Sequence, residues 1–179
     1  MKKLIIANLL SLVVFFGFSQ NPDFSKIKFW TGSGSKIAML VIDFNDGSNS
    51  ESFAWGYRFE DTNTTAQTML YDIVANDTNL SIALNGGFLS DIHYLAHSGI
   101  GGSPYYWSTF TFNNNHWEMN LGYSEILSDS MIFGNSYTDF DEFYNPITLP
   151  ETPIPAPKPF MLHSENIINW TGSGSNTAF

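Results

Sequence analysis

The chain has 179 residues, enough for one domain of ordinary size or for one domain with part of another, and it has no cysteine, which excludes disulfide frameworks, thiolate metal sites and cysteine nucleophiles. Seven Lys and Arg stand against 17 Asp and Glu, and Arg58 is the only permanent cation between Ile37 and Pro157, so no basic surface is available to release counterions from nucleic acid or anionic lipid. Charged residues make up only 13% of the chain and aromatic residues 16%, with 17 Asn and 20 Ser; uncharged polar groups and rings in these proportions suit a β-rich extracellular domain better than a cytosolic enzyme.

Met1-Lys2-Lys3 is followed by an apolar run from Leu4 to Phe18, interrupted only by Asn8, Ser11 and Gly17. Gly17 and Ser19 then supply small residues at the −3 and −1 positions before Gln20, which predicts a secretory signal peptide over residues 1–19. The run is too short to span a bilayer, and no transmembrane segment is expected after cleavage. Loss of Lys2 and Lys3 takes the formal charge from −10 to −12. The expected location is extracellular or at the cell surface, with a periplasmic location as an alternative.

The hexapeptide Trp30-Thr-Gly-Ser-Gly-Ser35 recurs as Trp170-Thr-Gly-Ser-Gly-Ser175, and seven of the nine positions from Trp30 to Ala38 match Trp170 to Ala178 at an offset of 140. Ile27 and Ile167 match at the same offset. The expected organisation is therefore one module over residues 27–145, a proline-rich linker over 146–160, and the truncated start of a second copy over 161–179. Pro146, Pro150, Pro153, Pro155, Pro157 and Pro159 favour an extended, semi-rigid spacer between the copies.

Within the module, Ile37 to Phe44 is an unbroken apolar run of strand length, which predicts a central strand covered on both faces. Phe53, Trp55, Tyr57 and Phe59 alternate with small or polar residues, so Trp55 and Tyr57 are expected in the core. Ala66, Met69, Leu70, Ile73 and Val74 share one face at helical spacing, and Thr64 with Gln67 reads as a capping box opening a helix over 64–76. Leu80 to Leu84 and Phe88 to Leu95 read as strands. Tyr105 to Phe112 and His116 to Asn120 flank Asn113-Asn114-Asn115 as a hairpin, and a last strand falls within Ser130 to Tyr137. The order predicts an α+β fold, a mixed or antiparallel sheet with one amphipathic helix on a face.

The strings Thr65-Ala-Gln-Thr-Met-Leu-Tyr-Asp-Ile-Val74, Gly87-Phe-Leu-Ser-Asp-Ile92, Tyr106-Trp107 and Gly122-Tyr-Ser124, followed by Leu127-Ser-Asp129, resemble the transcobalamin C-terminal-like domain. The opening Leu40-Val-Ile-Asp-Phe-Asn-Asp-Gly47 with Phe53-Ala-Trp-Gly-Tyr-Arg58 is similar to modules of exported bacterial surface proteins. The resemblance implies a β-grasp-like sheet with one helix, and in the family's best-known members this domain covers a bound corrinoid. Where the family shows Gly-Asp before its last strand, this chain has Asp129-Ser130.

Arg58 is a candidate clamp for an anionic group, set against an internal pair with Glu60, Asp61 or a cross-strand carboxylate. Tyr94, Tyr105, Tyr106, Trp107 and Trp117 are candidates for stacking on a sugar ring or a flat macrocycle. His93 and His97, with Asp91 and His116 nearby, are set aside as metal ligands because strand geometry separates them, and Asp43-x-Asn45-x-Gly47 reads as a turn more than a calcium loop. No serine lies in Gly-x-Ser-x-Gly, and no carboxylate pair is identifiable by spacing. The reading is a non-enzymatic, cofactor-free module of an exported tandem-repeat protein serving adhesion, spacing or ligand capture. A cobalamin-binding or other small-molecule-binding domain is the alternative, and a carbohydrate-binding accessory module the second. The expected partner is a neutral small molecule or glycan rather than nucleic acid.

Overall fold

A computed structural model describes residues 21–48, 51–85 and 88–158. The predicted signal peptide and the second copy of the repeat lie outside the described residues. Among the described residues, ten strands form two sheets and one α-helix packs against them. The larger sheet runs in the order β1 (Trp30–Gly32), β3 (Ser52–Phe59), β2 (Lys36–Asp43), β9 (Met131–Thr138), β7 (Tyr106–Asn113) and β8 (His116–Met119), with β10 (Ile154–Pro155) also on β3. The smaller sheet is β4 (Leu80–Asn85), β5 (Phe88–Tyr94) and β6 (His97–Ile100). The fold is α+β with mixed and antiparallel pairing.

The apolar run becomes β2, which lies between β3, antiparallel, and β9, parallel. Ala38, Leu40 and Ile42 face the main core, together with Phe53, Trp55, Tyr57 and Phe59 from β3. Met39 and Val41 face a second, smaller cluster with Ala54 and Ile132 on the other side of the sheet. Period-two alternation thus places Trp55 and Tyr57 in the core, as expected.

Helix α1 (Ala66–Asn76) covers the main core with Ala66, Met69, Leu70 and Ile73. Its cap differs from the expected one. Thr65 is the N-cap and accepts from the Thr68 amide at 3.3 Å, while the Thr64 hydroxyl is spent on the Asp61 carbonyl and Gln67 reaches Tyr71. The capping box over Thr64 and Gln67 is therefore replaced by a simple Thr cap one residue later. Two polar bonds tie β3 to this layer: the Trp55 indole donates to Asp77 at 2.9 Å, and the Tyr57 hydroxyl donates to Asp72 at 2.6 Å. Burial, reinforced by the Asp72 carboxylate, raises the Tyr57 phenol above its ordinary range.

The hairpin forms as β7 and β8, with Asn114 and Asn115 in the left-handed region at φ 48° and 66°, which Asn tolerates best among non-glycines. The proline-rich stretch, read as a spacer, is extended but docked: Ile154 and Pro155 pair with Phe53 and Ala54, and Ala156 is fully buried. Glu151 donates its amide to Asp43, and Ser52 donates to the Glu151 carbonyl. No described helix is long and apolar enough to cross a membrane.

Candidate functional site

The smaller sheet meets the larger one along β7, where Gly99 of β6 packs on Trp107. A Cβ on Gly99 would fall 2.3 Å from the indole, so only glycine lets the two backbones approach this closely. The Trp107 indole donates to the Gly99 carbonyl at 3.1 Å, and its ring sits edge-on to Phe44 and tilted against Tyr137. Trp107 is held rigidly, with part of its surface open.

Two adjoining hollows share Trp107, Phe88 and Leu89. One, of about 370 Å³, is completed by Ser90, Gly101 and Tyr106. The other, of about 430 Å³, is completed by Gln67 of the helix, Thr109, and Leu121 to Ser124 from the turn after β8. Among the described residues that line the two hollows, none carries a charge. Phe88 is 81% exposed and Leu121 85%, so two large apolar side chains stand in solvent at the cleft. Tyr123 backs it, donating its hydroxyl to Asn135, whose amide donates in turn to the Val41 carbonyl at 3.2 Å. That chain fixes the turn at 122–124 to the buried centre of the sheet.

Of the residues singled out from the sequence, Tyr106 and Trp107 line this cleft, and Tyr105 stands beside it, half-exposed and stacked on Tyr137. Tyr94 is not available to a ligand. It is fully buried, edge-on to Phe53 and Trp55, because its β5 register turns it inward with Ile92. Burial and the Asp77 carboxylate raise its phenol above the ordinary range. Trp117 belongs to the opposite face, where it packs on Phe112 and lies over Gly134. Arg58 is neither a clamp in the cleft nor ion-paired among the described residues: its guanidinium lies 4.9 Å from the Trp30 ring centroid. β2 and β9 separate its strand from β7, three strand spacings or about 14 Å.

The three described histidines are used singly. His97 lies 2.7 Å from Asp46, His93 2.9 Å from Ser98, and His116 2.7 Å from Glu118. Among the described residues no group of three or more acidic or histidine side chains is placed to hold a metal. Asp43 sits at the end of β2, buried, accepting from the Asn45 and Glu151 amides; burial pushes its carboxyl up to about 6 despite those bonds. Asn45 takes φ 48° just after it, in the turn leading toward β3.

Sequence reasoning missed Phe88, Leu121 and Tyr123. Phe88 and Tyr123 each follow a glycine, and Leu121 precedes one, the only local mark that they punctuate turns. No family model, curated protein or solved structure matches the chain.

Proposed function

We propose that this protein is a non-enzymatic module of an exported tandem-repeat protein and that it captures a neutral, ring-bearing ligand on Trp107. The observation that carries this reading is the uncharged lining of the cleft in a chain of formal charge −10. A rigid indole, two exposed apolar side chains and a few neutral hydrogen-bonding groups offer stacking and orientation without electrostatic cost to an uncharged ligand. An anion would have to lose its hydration beside an acidic surface, with Arg58 turned away on Trp30.

The ligand class spans corrinoids and neutral oligosaccharides, which share flat or ring-shaped apolar surface and low charge. The corrinoid reading draws support from topology. We read the order β3-β2-β9-β7, with the helix following the first hairpin and β2 parallel to β9, as support for a β-grasp-like sheet. The test is a titration of tryptophan fluorescence with cyanocobalamin, with a neutral oligosaccharide and with heparin. Saturable change with either neutral ligand supports the proposal. Heparin binding at physiological salt, or silence with all three, would contradict it, the latter in favour of adhesion or spacing.

A further inference from the structure

The structure shows what the repeated hexapeptide is for in its first copy. Strand β1 lies parallel to β3 along Gly56, Tyr57 and Arg58, with the Gly56 amide donating to the Phe29 carbonyl at 2.9 Å. Trp30 covers Gly56 so closely that a Cβ there would fall 2.4 Å from the indole, and the Arg58 guanidinium lies over the ring, 4.9 Å from its centroid. The Trp30 indole donates to the Ile27 carbonyl at 3.3 Å. Gly32 takes φ +75° and Gly34 φ +139°, each where a Cβ would fall 2.2 Å from the backbone of β3. Ser35 donates both its amide and its hydroxyl to Glu60, at 2.8 and 2.9 Å. The seat therefore reads the Trp, both glycines and the last serine, and residues 170–175 repeat every one of them, with Ile167 where Ile27 stands.

The same edge of β3 receives the other end of the module. Ile154 and Pro155 pair with Phe53 and Ala54, also parallel, and the Ala156 amide donates to the Ala54 carbonyl at 2.9 Å. The chain leaving Ala156 is thus aimed at Gly56, where Trp30 already sits. Thirteen residues separate Ala156 from Trp170, a reach on the order of 40 Å when extended, far more than the two strand positions to be crossed.

We propose that the edge of β3 from Gly56 to Arg58 is a receptor for the Trp-Thr-Gly-Ser-Gly-Ser segment, and that residues 170–175 of the same chain dock there when residues 30–35 leave. The first copy holds the seat in the intact module because Ser33 to Ser35 tether it directly to β2, whereas the second copy is delivered on a longer tether.

The test is the thermal midpoint of Trp30→Ala, Trp170→Ala and the double variant, all in the full chain. Trp170→Ala should leave the midpoint unchanged, Trp30→Ala should lower it modestly, and the double variant should lower it at least twice as far. Gly172→Val in the Trp30→Ala background should reproduce the double variant, because a side chain cannot enter the position that Gly32 occupies. Equal midpoints for Trp30→Ala and the double variant would overturn the proposal. So would a Trp30→Ala protein that fails to fold while Trp170→Ala folds, a Gly172→Val change without effect in that background, or a rescue that depends on protein concentration, which would place the segment in a neighbouring molecule.

Discussion

Gly99 and Trp107 are the contact on which the cleft is built: the indole packs directly on Gly99 of the smaller sheet and donates its N–H to the Gly99 carbonyl. Gly99→Ala should drive the ring from its seat and cost about 1–3 kcal/mol, the usual penalty for overpacking. A lowered urea midpoint with a weakened near-ultraviolet circular dichroism signal checks it. An unchanged midpoint would mean that the two sheets do not meet as tightly as described.

Thr65→Ala should destabilise the protein by about 1 kcal/mol through loss of the cap on Thr68, while Gln67→Ala should leave the urea midpoint nearly unchanged. The reverse result would restore Thr64 and Gln67 as the cap.

The helix shows how far local pattern reaches. Its apolar face was legible from Ala66, Met69, Leu70 and Ile73 because 3.6-residue spacing is a local property. Its cap was not, since Thr64 and Thr65 are chemically alike. What separates them is tertiary: the Leu127 amide donates to the Thr64 carbonyl and the Ala66 amide to Glu125, which sets where the helix begins. The cleft divides in the same way. Tyr106 and Trp107 were legible as rings opening a hairpin, whereas Phe88 and Leu121 join them only because two sheets meet. The β1 and β10 strands, three and two residues long, carry no periodicity at all. Trp117 was misplaced because Gly134, seventeen residues further along the chain, opens a socket for it on the far face.

Ser130 sits at φ 63° just before β9, with its amide donating to the Ile37 carbonyl at 2.7 Å. A serine there pays for a left-handed backbone that glycine adopts freely, so Ser130→Gly should stabilise the protein by about 0.5–1 kcal/mol. Chemical denaturation checks this, and destabilisation would mean that the serine side chain has a role of its own.

Asp43 gives the pH dependence a definite sign. Its carboxyl rises from 3.8 to about 6 on folding, chiefly through burial. The unfolded chain releases this proton first as pH rises, so the contribution is fully present below pH 4 and lost through pH 6. It amounts to about 3 kcal/mol for a shift of this size. The stability difference between the native protein and Asp43→Asn, measured from pH 3.5 to pH 7, should shrink by that order. A difference that stays flat would place Asp43 in a wetter site.

The claim that an uncharged cleft at Trp107 captures a neutral ligand is tested most directly at Leu121. This side chain is 85% exposed, so Leu121→Asp should leave the thermal midpoint unaltered while putting a carboxylate into the lining. In fluorescence titrations with cyanocobalamin or the neutral oligosaccharide, whichever saturates, affinity should fall at least tenfold in Leu121→Asp and disappear in Trp107→Ala, with Trp117→Phe unaffected. Full affinity in both Leu121→Asp and Trp107→Ala would contradict the account and remove the cleft from binding.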